Sequence, residues 1–110
     1  MPVEMKQMDS GTCVVTVSGR LVLGREVERL ETVVKDLTKA TPGRVVFDLS
    51  GLDYADSAGI GTFVACLTLI KKAGGEMRMA GVNARILKLF QMTGINHLMA
   101  MFPTVAEAMA

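Results

Sequence analysis

The sequence predicts one small α/β domain over residues 1–110, with a mostly parallel sheet, an antiparallel strand pair at its N-terminus and about four helices. Three observations lead there. Strand-like runs alternate with helix-like periodicities in the order β-β-α-β-α-β-α-(β)-α, which favours parallel pairing through helical crossovers. No segment repeats at intervals of about 20 to 50 residues and no low-complexity linker divides the chain. A chain of 110 residues is long enough to bury its own core without disulfide or metal staples.

Val3 to Met8 reads as a short edge strand, Asp9-Ser10-Gly11 as a turn and Thr12 to Ser18 as the antiparallel partner. In the second run Cys13, Val15 and Val17 alternate with Val14, Thr16 and Ser18, so one face is the more apolar, and Gly19 is expected to end it. From Gly24 to Ala40, Val27, Leu30, Val34 and Leu37 recur at helical spacing between charged residues. This is an amphipathic surface helix, stopped by Thr41-Pro42-Gly43. Arg44 to Leu49 follows with three consecutive β-branched or aromatic residues, as suits a central strand buried on both faces.

The chain then passes through Leu52-Asp53-Tyr54-Ala55-Asp56-Ser57-Ala58-Gly59-Ile60-Gly61 into a helix ending at Lys72. Ile60, Phe63, Val64, Leu67, Leu69 and Ile70 lie on nearly all its sides, so it is expected to be largely buried, with Lys71 and Lys72 at its negative end and Gly74-Gly75 closing it. Glu76 to Ala80 alternates charged and apolar side chains like a strand with one wet face, ended by Gly81. Asn83 can cap a helix whose Ile86, Leu87, Leu89 and Phe90 face inward, with Gly94 just past its end. A short strand or extended piece, Ile95 to Phe102, is expected next. Thr104 and Glu107 have capping-box spacing for a last short helix, Thr104 to Met109, docked by Val105, Ala108 and Met109.

Composition narrows the function classes. Twelve basic residues against eleven acidic ones, spread along the chain, give no electrostatic reason to expect nucleic acid or an anionic membrane surface. The uncharged stretch Ala58 to Ile70 is broken by glycines and threonines and falls short of the roughly 20 apolar residues a membrane span needs. Met1 to Lys6 shows no basic segment followed by an apolar one, so no signal peptide and a cytoplasmic location are expected. Cys13 and Cys66 lack Cys-x-x-Cys spacing and read as buried reduced thiols. Met77, Met79, Met92, Met99 and Met101 read as packing, and no cofactor or metal is implied.

The turn before the central helix is where a site could sit. Ser57 falls where the first helical turn leaves N–H groups unpaired, so its hydroxyl can cap the helix, and a phosphate on it would meet the positive end of the dipole. Asp56 is an alternative holder of the turn, through its carboxylate on local N–H groups, and Gly59 and Gly61 would permit close helix-to-strand packing.

Val46 to Gly61, with Asp53-Tyr54-Ala55-Asp56-Ser57-Ala58-Gly59 at its heart, is similar to the signature of STAS domains, the family of bacterial anti-sigma factor antagonists. Lys72 to Val82 and Leu87 to Ile95 also resemble that family, and the likeness spans Met5 to Phe102. The resemblance implies a single STAS-like domain that binds an anti-sigma factor, often itself a serine kinase, so that a sigma factor is released. It further implies that the kinase switches this off by phosphorylating the serine after the aspartate, here Ser57. The partner surface would comprise Asp53, Tyr54, Asp56, Ser57, Ala58, Gly59, Ile60 and Gly61, with Arg20 and Val22 from a neighbouring loop. Many members carry a second serine or threonine where this chain has Ala58, and commonly an acid where it has Val22. The family also includes scaffold subunits of stress-sensing assemblies and partners of lipid or ion transporters, which gives an unswitched scaffold as the alternative.

An enzyme is the rival class. Ala55-Asp56-Ser57-Ala58-Gly59 lacks the first glycine of a serine-hydrolase elbow, and the only histidine, His97, has no third residue to orient it. Val64 stands where a dinucleotide loop needs its third glycine or alanine. Asp48 has no acidic pair after the first strand with which to bind magnesium as a phosphoreceiver would. The sequence therefore favours a regulatory binding module.

Overall fold

The computed structural model describes residues 3–8 and 11–110. Strand β1 (Val3–Gln7) pairs antiparallel with β2 (Cys13–Val17), as the first two runs predict. Of the turn between them, Asp9 and Ser10 lie outside the described residues, while the N–H of Gly11 donates to the carbonyl of Met8 at 3.0 Å. Beyond β2 the order is β4 (Arg44–Asp48), β6 (Glu76–Ala80) and β7 (Ala100–Phe102), each parallel to the strand before it.

The sheet has unequal faces. Cys13, Val15 and Val17 of β2, Val45 and Phe47 of β4, and Met77 and Met79 of β6 point to the side covered by helices α1 (Arg25–Leu37), α2 (Ser57–Lys72) and α3 (Ala84–Thr93). There Phe63 of α2 stands edge-on between Phe47 (6.1 Å between ring centres) and Phe90 of α3 (5.7 Å), an arrangement aromatic rings prefer to face-to-face stacking. On the opposite side a second, smaller cluster gathers Val14, Val46 and Ala80 under Ala108 of the short helix α4 (Val105–Met109). Val45, Val46 and Phe47 are all fully buried, as a central strand requires.

Arg44 and Arg78 fasten α4. Arg44 Nη1 donates to the carbonyls of Met109 (2.8 Å) and Ala110 (3.0 Å), and Arg78 Nη1 to those of Ala108 (3.0 Å) and Ala110 (3.1 Å). Glu76 lies between them, 3.3 Å from Arg44 Nε and 3.1 Å from Arg78 Nε. The hydrogen bond from Arg78, then that from Arg44, holds the Glu76 carboxyl below its ordinary range. Two guanidinium groups at the carbonyl end of a helix complement its negative pole. At the other end Thr104 Oγ1 accepts from the N–H of Glu107 at 3.2 Å, the cap that the sequence spacing predicts.

Four features depart from expectation. Gly19 does not end the β structure: Gly19–Leu21 forms β3, which pairs in parallel with β5 (Leu52–Ala55) as a separate two-stranded sheet. The Gly19 N–H donates to the Gly51 carbonyl at 2.8 Å, so the β2 and β4 chains re-engage just past their own ends. Helix α1 runs only from Arg25 to Leu37 and ends before Thr41-Pro42-Gly43 is reached, with the Thr38 N–H (3.0 Å) and hydroxyl (2.8 Å) both donating to the Val34 carbonyl at its end. Helix α2 buries one side only; Gly61, Val64, Ala65 and Thr68 face solvent. Ile95–His97 is a single 3-10 turn, and the last strand is confined to Ala100–Phe102.

Cys13 and Cys66 are buried free thiols, and burial raises both above their ordinary range, Cys66 to about 12. Met77, Met79 and Met99 pack inside as expected, whereas Met92 is 74% exposed on the outer side of α3.

Candidate functional site

The turn into α2 is built by Asp56. Its extended backbone (φ −86°, ψ −175°) stops β5, and its Oδ1 accepts from the N–H of Gly59 at 2.8 Å, satisfying one orphan donor of the first helical turn. Of the two residues able to hold the turn, the cap is Asp56 and not Ser57, and the cause is clear. Both are good capping residues, but Asp56 Oδ2 also accepts from the N–H of Leu23 at 3.0 Å, which only the residue one step earlier can do. The bond from Leu23, then that from Gly59, holds the Asp56 carboxyl below its ordinary range, so it is ionised at neutral pH. Its backbone N–H reaches the Leu21 carbonyl at 3.3 Å, which ties the end of β5 to the end of β3.

Ser57 is consequently the first helical residue, exposed, and its hydroxyl makes no side-chain hydrogen bond to any described residue. Gly59 is needed where it stands: a Cβ there would run into the Leu21 carbonyl oxygen, with the Leu21 carbonyl carbon at 3.1 Å. Gly61 has no such reason, since a Cβ would meet nothing within 4 Å; close packing explains the first glycine and not the second.

The β3–β5 pairing brings the separate loop to the turn. Arg20 lies opposite Tyr54, with its guanidinium carbon 4.7 Å from the centre of the tyrosine ring, and Val22 is half-buried just beyond. Asp53 and Tyr54 are exposed, Ala58 is half-buried, and Gly59 and Ile60 face inward, where they shape the turn. Arg20, Val22, Asp53, Tyr54, Asp56, Ser57, Ala58 and Gly61 thus gather at one end of the molecule. His97 sits exposed on its 3-10 turn. Among the described residues, no group of three or more His, Cys, Asp or Glu side chains could hold a metal ion, and no helix is long and apolar enough to cross a membrane.

Leu23 carried no mark in the sequence. It is 78% exposed, yet its backbone is fixed to Asp56 on one side, and on the other by Gly24, whose φ of +133° is a conformation that favours glycine. The only available signal was a large apolar residue in the short gap between Leu21 and the start of α1, too weak a pattern to single it out.

A parallel sheet with an antiparallel first strand, helices massed on one face, and a strand–aspartate–serine–helix turn at its end define a STAS domain. The family profile for the STAS domain matches residues 4–108, and the chain belongs to that family. It is 34% identical over 50 residues to the anti-sigma-B factor antagonist of Bacillus subtilis, an overlap of 46% of either protein. To the protein of the same name from Staphylococcus aureus it is 33% identical over 73 residues, which are 66% of this chain and 68% of that one. The matched segment spans less than half the length of the first relative and about two thirds of the second. Among solved structures, the Bacillus cell fate determinant SpoIIAA in its phosphorylated form superposes with a TM-score of 0.77 at 19% identity, covering 97% of this chain and 96% of that one.

Proposed function

We propose that this domain is an anti-sigma factor antagonist: it binds an anti-sigma factor that is itself a serine kinase, frees a sigma factor, and is switched off by phosphorylation of Ser57. The domain acts by binding and not by catalysis. The observation that carries the reading is the position of Ser57, exposed and first in α2, directly after the capping aspartate. Its relatives' printed name, anti-sigma-B factor antagonist, supports the same role, and a phosphorylated form of the structurally similar SpoIIAA supports a phosphate-carrying version of this fold.

A phosphate adds about −1.5 to −2 charges at neutral pH. On Ser57 it would stand beside the ionised Asp56 and near Asp53, turning a mixed surface strongly negative against an acidic partner and raising the desolvation cost of the interface. The helix N-terminus offsets that charge in the free domain, so binding is lost while the fold survives. The partner surface centres on Asp53, Tyr54, Asp56, Ser57, Ala58 and Gly61, with Arg20 and Val22 on its flank, while Gly59 and Ile60 face inward and shape it from beneath.

The test is an affinity pull-down with wild type, Ser57→Ala and Ser57→Asp as baits, combined with mass spectrometry of partners and of Ser57 itself. A kinase-like anti-sigma factor held by the first two and lost by Ser57→Asp is the expected result. Equal retention by all three, with Ser57 never modified, would transfer the assignment to an unswitched scaffold subunit.

A further inference from the structure

Six large apolar side chains are notably exposed among the described residues, and three of them, Leu23, Tyr54 and Val64, belong to the elements that meet at the Asp56–Ser57 turn. Leu23 is the most exposed of all at 78%. An isolated exposed leucine is ordinary. This one differs in being held: its own N–H is bound to Asp56 Oδ2 at 3.0 Å, and Gly24 directly after it takes φ +133° before α1 begins. The side chain is therefore displayed from a fixed backbone beside Ser57, and ordering it on binding loses little entropy. Its hydrogen-bonded neighbour is the charged Asp56, which precedes Ser57 in the chain, and Arg20, against the Tyr54 ring, lies three residues before it; an exposed apolar side chain beside charged groups is the anatomy of a recognition patch.

We infer that Leu23 is the anchor of the interface, seated in an apolar socket on the anti-sigma factor, so that affinity resides in Leu23 while switching resides in Ser57. This rests on the antagonist reading and deepens it by naming what the partner must present. The same carboxylate that caps α2 positions the anchor, which ties the two parts into one rigid unit.

The experiment measures the affinity of the purified anti-sigma factor recovered with the wild-type domain for wild type, Leu23→Ala, Leu23→Met, Met92→Ala and Ser57→Asp, with the melting temperature of each free domain alongside. Leu23→Ala is expected to weaken binding by about tenfold or more. Leu23→Met keeps the apolar bulk and stays near wild type, as does Met92→Ala, an equally exposed side chain on α3. Melting temperatures of the Leu23 variants stay at the wild-type value, because the side chain packs against little. Wild-type affinity in Leu23→Ala, together with loss in Ser57→Asp, would overturn the anchor and leave the antagonist reading standing. If no anti-sigma factor binds wild type, the antagonist reading falls and takes the anchor with it.

Discussion

The same substitution made at two glycines of α2 tests how the turn is built. At Gly59 a Cβ meets the backbone of Leu21, its carbonyl oxygen foremost, with the carbonyl carbon at 3.1 Å and Cγ at 3.2 Å. Backbone cannot swing aside as a side-chain tip can, so the first turn of α2 must lift from β3. Overpacking of this kind costs about 1–3 kcal/mol, and an obstacle of backbone puts Gly59→Ala at the upper end. Alanine returns about 1 kcal/mol of helix propensity, which leaves a net loss of about 2 kcal/mol. For a domain of this size that lowers Tm by about 8 °C or more. At Gly61 the added methyl meets open space within 4 Å, and only the propensity term survives, so Gly61→Ala gains about 1 kcal/mol. Urea unfolding of both variants, with unchanged m-values to confirm that the same transition is measured, gives the two signs directly. Equal stability of Gly59→Ala and wild type would refute the close approach of α2 to Leu21, and a destabilised Gly61→Ala would refute the open space beside Gly61.

Asp56 gives a pH signature. Hydrogen bonds from Leu23 and Gly59 hold its folded pKa below the ordinary 3.8, so near pH 4 the folded state carries fewer protons than the unfolded one and stability rises with pH. The stability gap between wild type and Asp56→Ala is therefore full at neutral pH and closes as the pH falls through the folded pKa; a gap that stays constant from pH 7 to pH 2 would contradict this. Phe63→Ala removes the ring between Phe47 and Phe90, and denaturant titration should show a loss of about 3–5 kcal/mol. Cys66, fully buried and raised to about 12, should resist thiol reagents at pH 8 in the native protein and react at the rate of global unfolding.

Much of the fold was legible because its causes are local. The spacing of Val27, Leu30 and Val34 makes α1, the Val45-Val46-Phe47 run makes the central strand, and Asn83 caps α3 by accepting from the Ile86 N–H at 2.9 Å. The β3–β5 pair was not legible. Three- and four-residue strands with Asp53 and Tyr54 both exposed show no alternation, and their pairing is settled by chain ends more than 30 residues apart, as Arg20 and Tyr54 are. The same distance hid the choice of cap, since what separates Asp56 from Ser57 is a bond to Leu23. The outer side of α2 was misread because Val64 and Ala65 are as apolar as the residues it buries, and composition alone cannot say which side of a uniformly apolar helix is left bare.

That Ser57 is the first helical residue limits what can modify it. Protein kinases that read their substrates as an extended peptide would have to unwind the opening turn of α2 and break the Asp56–Gly59 bond before the hydroxyl could be presented. A transferase that leaves the turn intact has to recognise a three-dimensional shape, assembled from the Arg20 strand, the Leu23 loop and the helix, and a synthetic peptide spanning Asp53 to Gly61 would be a poor substitute for it. If Ser57 is phosphorylated as proposed, substrate and binding partner become the same surface, and the modifying enzyme is one already docked on the folded domain.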